Sequence, residues 1–179
     1  MDQMTAMNTQ AFKDAMALLA APVTVVTAED TDGYPCGFTA SSVSSVSLNP
    51  PLIAVGLSKT SSCHAAMLAA EEFVVNILGA AHRELASQFA ISGIDRFAGV
   101  RTIPWDGHGT PPRLSDVHVL LRCRRSDVVE AGDHHLVLGA VTDVRTGDGN
   151  EHGRLPAGLV WFQRAFHAPA LCTCEETSP

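Results

Sequence analysis

Positive charge is scarce in this chain of 179 residues. Its 12 Lys and Arg stand against 19 Asp and Glu, a formal net charge of −7. A nucleic-acid binder presents a basic face, and apart from Arg122, Arg124 and Arg125 the cations here are scattered. No apolar run approaches the ~20 residues that cross a bilayer. The first ten residues show no basic segment followed by an apolar core, so no signal peptide is expected, and cytoplasmic residence follows by default. There is no internal repeat and no long low-complexity segment. Five cysteines, Cys36, Cys63, Cys123, Cys172 and Cys174, make an odd count that argues for unbridged thiols. Cys172-Thr173-Cys174 has no second pair at ligand spacing, whereas a structural metal normally takes four ligands, so no metal is expected. His108, His118, His152 and His167 show no mutual spacing for one either. Many serines are present, yet no ordered Ser/His/Asp arrangement. No G-x-G-x-x-G follows a predicted strand, which leaves a Rossmann dinucleotide site unsupported.

What remains is one domain with an apolar share of 46%, enough for a sizeable core. Residues 1–8 and 168–179 read as flexible ends and 9–167 as the domain. Ala11, Phe12, Ala15, Met16, Leu18 and Leu19 recur at helical spacing, which predicts a helix over 9–20, ended by Pro22. Val23–Thr27 is rich in β-branched residues and reads as a strand. Asp30-Thr31-Asp32-Gly33 signals a turn into Pro35–Ala40. Val43–Ser47 alternates, and Leu52–Leu57 is an apolar run of the kind buried on both faces. Ser62 is a candidate N-cap for a helix through Ala70. Phe73–Leu78 reads as a strand and His82–Ala90 as a helix. A long irregular stretch, with Gly93, Gly99, Pro104, Gly107, Gly109, Pro111 and Pro112, follows. Val117–Val129 and His134–Val144 are long strands joined at Ala131-Gly132-Asp133, and Leu159–Phe162 is the last. Many strands with hairpin-length links point to an antiparallel barrel.

One stretch is chemically one-sided. Gly37-Phe38-Thr39-Ala40-Ser41-Ser42, the segment through Leu57, and Ser58-Lys59-Thr60-Ser61-Ser62 hold hydroxyls, backbone amides and one cation, but no carboxylate. That chemistry suits a planar, phosphorylated ligand and not acid/base hydrolysis. The residues 58–62 precede a predicted helix, and amides at a helix start favour an anion. Lys59 either adds its charge there or points into water.

Four ordered blocks resemble the flavin reductase-like domain, the small reductase component of two-component flavin monooxygenases. They are Gly37–Ser42 with Ser45-Val46-Ser47 and Pro50-Pro51; Ser58–Ser62; Phe73–Leu78 continuing through Leu85-Ala86 and Phe89-Ala90 to Arg96-Phe97-Ala98-Gly99; and Gly132-Asp133-His134-His135 leading into Leu138-Gly139. The resemblance covers about residues 11–167 and extends to reductases serving aromatic-polyketide or phenol hydroxylases. It implies a mostly β fold, an antiparallel Greek-key split β-barrel that binds FMN, with a few short flanking helices, usually a homodimer. It also implies oxidation of NADH or NADPH and release of reduced FMN or FAD to a separate monooxygenase.

The resemblance assigns roles by position. Thr39, Ala40, Ser41 and Ser42 would face the isoalloxazine ring, with Ser47 in the same block. Ser58, Lys59, Thr60, Ser61 and Ser62 would contact phosphate. Phe89, Ala90, Arg96 and Phe97 match a segment near the flavin. Two roles fit Arg96: a phosphate pair, or a surface ion pair with Asp95 or Glu84. His134 would meet the arriving nicotinamide as the catalytic residue, or else cap its strand; His135 alternates to the other face. His64 reads as helix surface or flavin rim. The chain departs from the family in its short Asp106-Gly107-His108-Gly109 run, where an aromatic or charged residue is common. This leaves NADH against NADPH open.

Three other readings use the same residues. A flavin-binding protein without turnover shares the barrel but has no use for Gly132-Asp133-His134. An oxidase of the pyridoxamine-phosphate type would want a basic cluster for a second phosphate. A thiol enzyme using Cys36 or Cys63 would need a nearby His base.

Overall fold

The computed structural model describes residues 8–117, 119–146 and 157–169. Cys172, Cys174, His118, His152 and most of both expected flexible ends fall outside them. The elements in order are α1 (Thr9–Met16), β1 (Ala21–Pro22), β2 (Thr24–Glu29), β3 (Pro35–Ala40), β4 (Val43–Leu48), β5 (Pro51–Ser58), α2 (His64–Ala69), β6 (Glu72–Ile77), a 3-10 turn at Ala80–His82 and α3 (Arg83–Ala90). Then come β7 (Thr102–Pro104), β8 (Pro112–Leu114), β9 (Val119–Ala131), β10 (His134–Thr146), β11 (Val160–Phe162) and β12 (Ala165–His167).

Seven strands form one antiparallel sheet in the order β3-β2-β6-β9-β10-β5-β4. The two edge strands, β3 and β4, are neighbours in sequence, joined by Ser41-Ser42 alone. Laid flat, seven strands would hold those edges about 29 Å apart. The link from Ala40 to Val43 spans at most about 11 Å. The sheet therefore curls until its edges meet. No ladder joins β3 to β4 among the described residues, and the barrel stays split at this seam.

Local chemistry sets the turns. Asp30 Oδ1 accepts from the Asp32 and Tyr34 amides at 2.9 and 2.8 Å, and Gly33 takes φ +82°. Gly132, at φ +62°, turns β9 into β10 through a two-residue link. The period of two along each strand divides the core. Val26, Phe73 and Val75 face inward with Val55, Leu57 and Met67, while Val25 and Val74 face Phe89, Leu114 and Leu120 under α3. Asn76, fully buried, ties the layers together: its amide donates to the Val25 carbonyl at 2.9 Å and its Oδ1 accepts from the Leu114 amide at 2.9 Å.

Three sequence expectations shift. The first helix stops at Met16, because the chain turns at Ala17 to pair Gln163 N with Ala17 O, and Leu18 and Leu19 stay exposed. Ser62 does not cap α2; the hydroxyl that serves the turn is Ser61, accepting from the Cys63 amide at 3.2 Å. The long irregular segment contains the β7–β8 hairpin.

Candidate functional site

A cavity of about 340 Å³ opens where β3, β5, β10 and α3 meet. The β3 end and its link supply Phe38, Thr39, Ala40, Ser41 and Ser42. From β5 onward come Gly56, Ser58, Thr60 and Ser61. The α3 end and the loop after it add Phe89, Ala90, Ser92 and Arg96, and β10 brings His134. Register explains the last placement, since His134 pairs directly with Ser58. The Lys59 amide donates to the Asp133 carbonyl at 3.0 Å, which binds the 58–62 segment to the β9–β10 turn.

Four expected residues lie elsewhere. Ser47 is on β4, opposite Leu52. Lys59 turns its ammonium to Glu130 at 2.5 Å, outside the cavity. Ser62 is not among the lining residues. Phe97 sits behind the wall, edge-on to Phe89 with ring centroids 5.0 Å apart. Phe38, Gly56 and Ser92 were not singled out from sequence. Phe38 and Gly56 lie in the segments already marked; Ser92 carried no signal. Gly56 is required by close approach: a Cβ there would lie 2.6 Å from Ser42 Oγ.

Much of the hydrogen-bonding capacity is already committed. The amides of Lys59, Thr60, Ser61, Cys63 and His64 all have partners within the chain. Only the Ser62 amide in that run has none among the described residues. With α2 only six residues long, a helix-end anion site is replaced by a hydroxyl site. Thr39 donates to the Ala86 carbonyl at 2.6 Å and Ser42 to the Gly56 carbonyl at 3.1 Å. Ser58 and Thr60 hydroxyls bond each other at 2.9 Å. The Ser41 and Ser92 hydroxyls make no bond among the described residues, and Ser61 accepts while keeping its proton to donate.

Arg96 is the one charged residue of either sign, His134 aside, that lines the cavity. It is 8% exposed and makes no ion pair among the described residues. Its Nε donates to the Ile91 carbonyl at 2.7 Å, and Nη1 to the Gly37 carbonyl at 2.9 Å and to Cys63 Sγ at 3.1 Å. This fixes the guanidinium as part of the wall. His134 is held by its Nδ1 to Asp133 Oδ1 at 2.8 Å, leaving Nε2 for a ligand. That bond, and then the His134 charge, hold the Asp133 carboxyl below the usual range. His135 points away and meets His64, with 3.0 Å between their ring nitrogens, so His64 does not reach the cavity. The Asp106–Gly109 run is remote: Asp106 binds Arg122 and Arg145, and Gly109 borders a separate acidic cleft. No group of three or more metal ligands occurs among the described residues, and none of their helices is long and apolar enough to cross a membrane.

The arrangement fits a flat, phosphorylated group. Phe38, Ala40, Phe89 and Ala90 offer apolar wall, the serines and Thr60 offer hydroxyls, and Arg96 offers a fixed positive charge. The volume is within the range of small-ligand sites, about 300–1,000 Å³.

Comparison with known proteins agrees with this chemistry. The chain is 54% identical over 170 residues to an NADH:riboflavin 5'-phosphate oxidoreductase of Streptomyces pristinaespiralis, covering 94% of this chain and 92% of that one. It is 38% identical over 139 residues to the reductase component of a 4-nitrophenol 4-monooxygenase/4-nitrocatechol 2-monooxygenase of Rhodococcus opacus, covering 78% and 73%. The structure superposes, with a TM-score of 0.81 and 26% identity, on an NADH:FAD oxidoreductase of Streptomyces globisporus C-1027 in complex with NAD and FAD fragments, covering 93% and 95%. The profile of the flavin reductase like domain matches residues 16–170, and the chain belongs to that family.

Proposed function

We propose that this cavity is where the chain reduces flavin with NADH, and that the reduced flavin goes to a separate flavin-dependent monooxygenase. The chain is an NADH-dependent flavin oxidoreductase. The observation that carries the site is the convergence of the Ser41 and Ser92 hydroxyls and the buried Arg96 on one mostly polar cavity without a carboxylate. A bound flavin supplies the hydride-accepting chemistry. The protein's part is position: no acid or base pair is needed when two rings are held at contact distance.

Thr39, Ala40, Ser41 and Ser42 line the ring's edge. Small side chains there let a planar group approach the backbone. Ser61 and one of the bonded pair Ser58 and Thr60 donate hydroxyls to the phosphate end, and Arg96 sets the local potential. His134 presents Nε2 at the mouth, with its ring orientation fixed by Asp133. Lys59 acts through structure, clamping β5 to β9 by its pair with Glu130. The likeness to monooxygenase reductase components favours an aromatic hydroxylase as the recipient of reduced flavin. The apolar face of α1 and the exposed Val46 and Leu48 of the edge strand β4 favour a homodimer.

Titrating FMN and following its fluorescence quenching tests the placement. Ser41→Asp sets a carboxylate against the ring's carbonyl edge and abolishes binding, while the thermal midpoint stays within a few degrees of wild type. Unchanged FMN affinity in that variant places the site elsewhere.

A further inference from the structure

We propose that Cys63 and Cys36 form an oxidisable thiol pair behind the flavin cavity, which hydrogen peroxide converts to a disulfide, loosening Arg96 and weakening flavin binding. The proposal rests on the flavin reductase reading for the source of the peroxide and for its effect on binding. The thiol chemistry itself does not need that reading.

Position carries the argument. Cys63, just before α2, is buried in the core that the sheet encloses, 6% exposed. Its Sγ is 3.1 Å from Arg96 Nη1 and 3.1 Å from the Gly37 carbonyl. Gly37 follows Cys36, whose half-buried side chain packs against the same core cluster that contains Cys63. One sulfur thus shares its core cluster with a second thiol and has a guanidinium beside it, and that guanidinium lines the flavin cavity. The Cys36 thiol, and then the Arg96 charge, pull Cys63 down to about 6, while the same pairing pushes Cys36 up. Cys123, unbridged but surrounded by apolar groups, is pushed up to about 12 by burial and has no such partners. Thiolate character beside a cation, with a second, more exposed cysteine packed on the same cluster, matches the charge environment of an attacking thiol with a resolving partner.

The chemistry balances. The Cys63 thiolate attacks one peroxide oxygen; the O–O bond breaks, the sulfur gives up two electrons to become a sulfenic acid, and hydroxide leaves. The Cys36 sulfur then attacks the Cys63 sulfur. The S–S bond forms, the S–O bond breaks, and the hydroxyl departs as water with the Cys36 proton. Two thiols and one peroxide yield one disulfide and two waters. Dioxygen makes that peroxide whenever it re-oxidises reduced flavin before the monooxygenase takes it. The oxidant therefore arises beside the thiols when product outruns its acceptor. A disulfide sulfur carries no charge and accepts weakly, so Arg96 loses one of its three anchors.

The test treats the reduced wild-type protein with hydrogen peroxide. Half is digested without reductant for mass spectrometry, and half is titrated with FMN before and after dithiothreitol. The expected result is a Cys36–Cys63 cross-linked peptide and an FMN Kd raised about tenfold, as for a lost charge-assisted hydrogen bond, restored by dithiothreitol. In Cys36→Ser the sulfenic acid on Cys63 persists, dimedone captures it, and no cross-link forms. Recovery of both peptides as unmodified thiols overturns the proposal, and so does a cross-link that leaves the FMN Kd unchanged. An untreated protein that binds no FMN breaks the functional reading instead, and the cross-link still decides the thiol chemistry.

Discussion

At the scale of the residue, Arg96 does two jobs that its sequence context did not separate. The choice between a phosphate partner and a surface ion pair was open because Asp95 and Glu84 are close in sequence. The structure instead buries the guanidinium on two carbonyls and a sulfur, since Asp95 is taken by the Phe97 amide at 2.9 Å. Arg96→Met leaves the Ile91 carbonyl unpaired and the Gly37 carbonyl with the Cys63 thiol alone, and costs about 1–3 kcal/mol, read in urea unfolding, with a parallel loss of FMN affinity. Stability and affinity both at wild-type values would contradict the role. His134→Ala lowers NADH turnover about tenfold while FMN affinity changes little, because the side chain stands at the mouth and not against the wall. Equal losses in both would make it part of the flavin wall. For Cys63, the Cys36 thiol and the Arg96 charge hold the thiol below its ordinary range, so the expected thiolate band in the ultraviolet persists below pH of about 8.5 and is lost only as pH falls further, toward about 6. The step is absent in Cys63→Ser; a wild-type step near the ordinary thiol range of about 8.5 would contradict the pairing.

At the scale of the element, strands were legible and helix ends were not. β2 announces itself as a β-branched run, β5 as an apolar run and β6 as an apolar strand, and burial on both faces accounts for β2 and β6, while β5 is buried only in part. Leu18 and Leu19 continue the helical period beyond the end of α1, although their backbone has already turned toward β11. Ser62 looked like a cap because hydroxyl residues crowd 58–62; which one serves is decided by the chain's path, not by composition. The β9–β10 hairpin holds a bulge at Leu138/Gly139, where the Phe73 ring lies against the backbone. A Cβ on Gly139 would meet Phe73 Cζ at 2.6 Å and Cys123 Cβ at 3.0 Å. Gly139→Ala therefore costs about 1–3 kcal/mol by overpacking, seen as a lower urea midpoint with an unchanged slope. An unchanged midpoint would mean that the ring moves aside without penalty.

At the scale of the whole molecule, topology makes the site. Strands distant in sequence converge because the Ser41-Ser42 link forces the edges of a seven-stranded sheet together. The motifs at 37–42, 58–62, 89–96 and 132–135 were readable as an ordered set, and most of their residues meet in one cavity. What composition could not show is which side chains turn away, as Lys59 does toward Glu130, or which amides are already spent. The exposed apolar face of α1 predicts a dimer by light scattering, and a monomer at micromolar concentration would assign that face another role. The central claim is best tested by following NADH oxidation at the nicotinamide absorbance band, with and without added FMN or FAD. The account predicts oxidation that depends on flavin and is lost with Ser41→Asp. A folded protein that quenches flavin fluorescence yet leaves NADH untouched would contradict it.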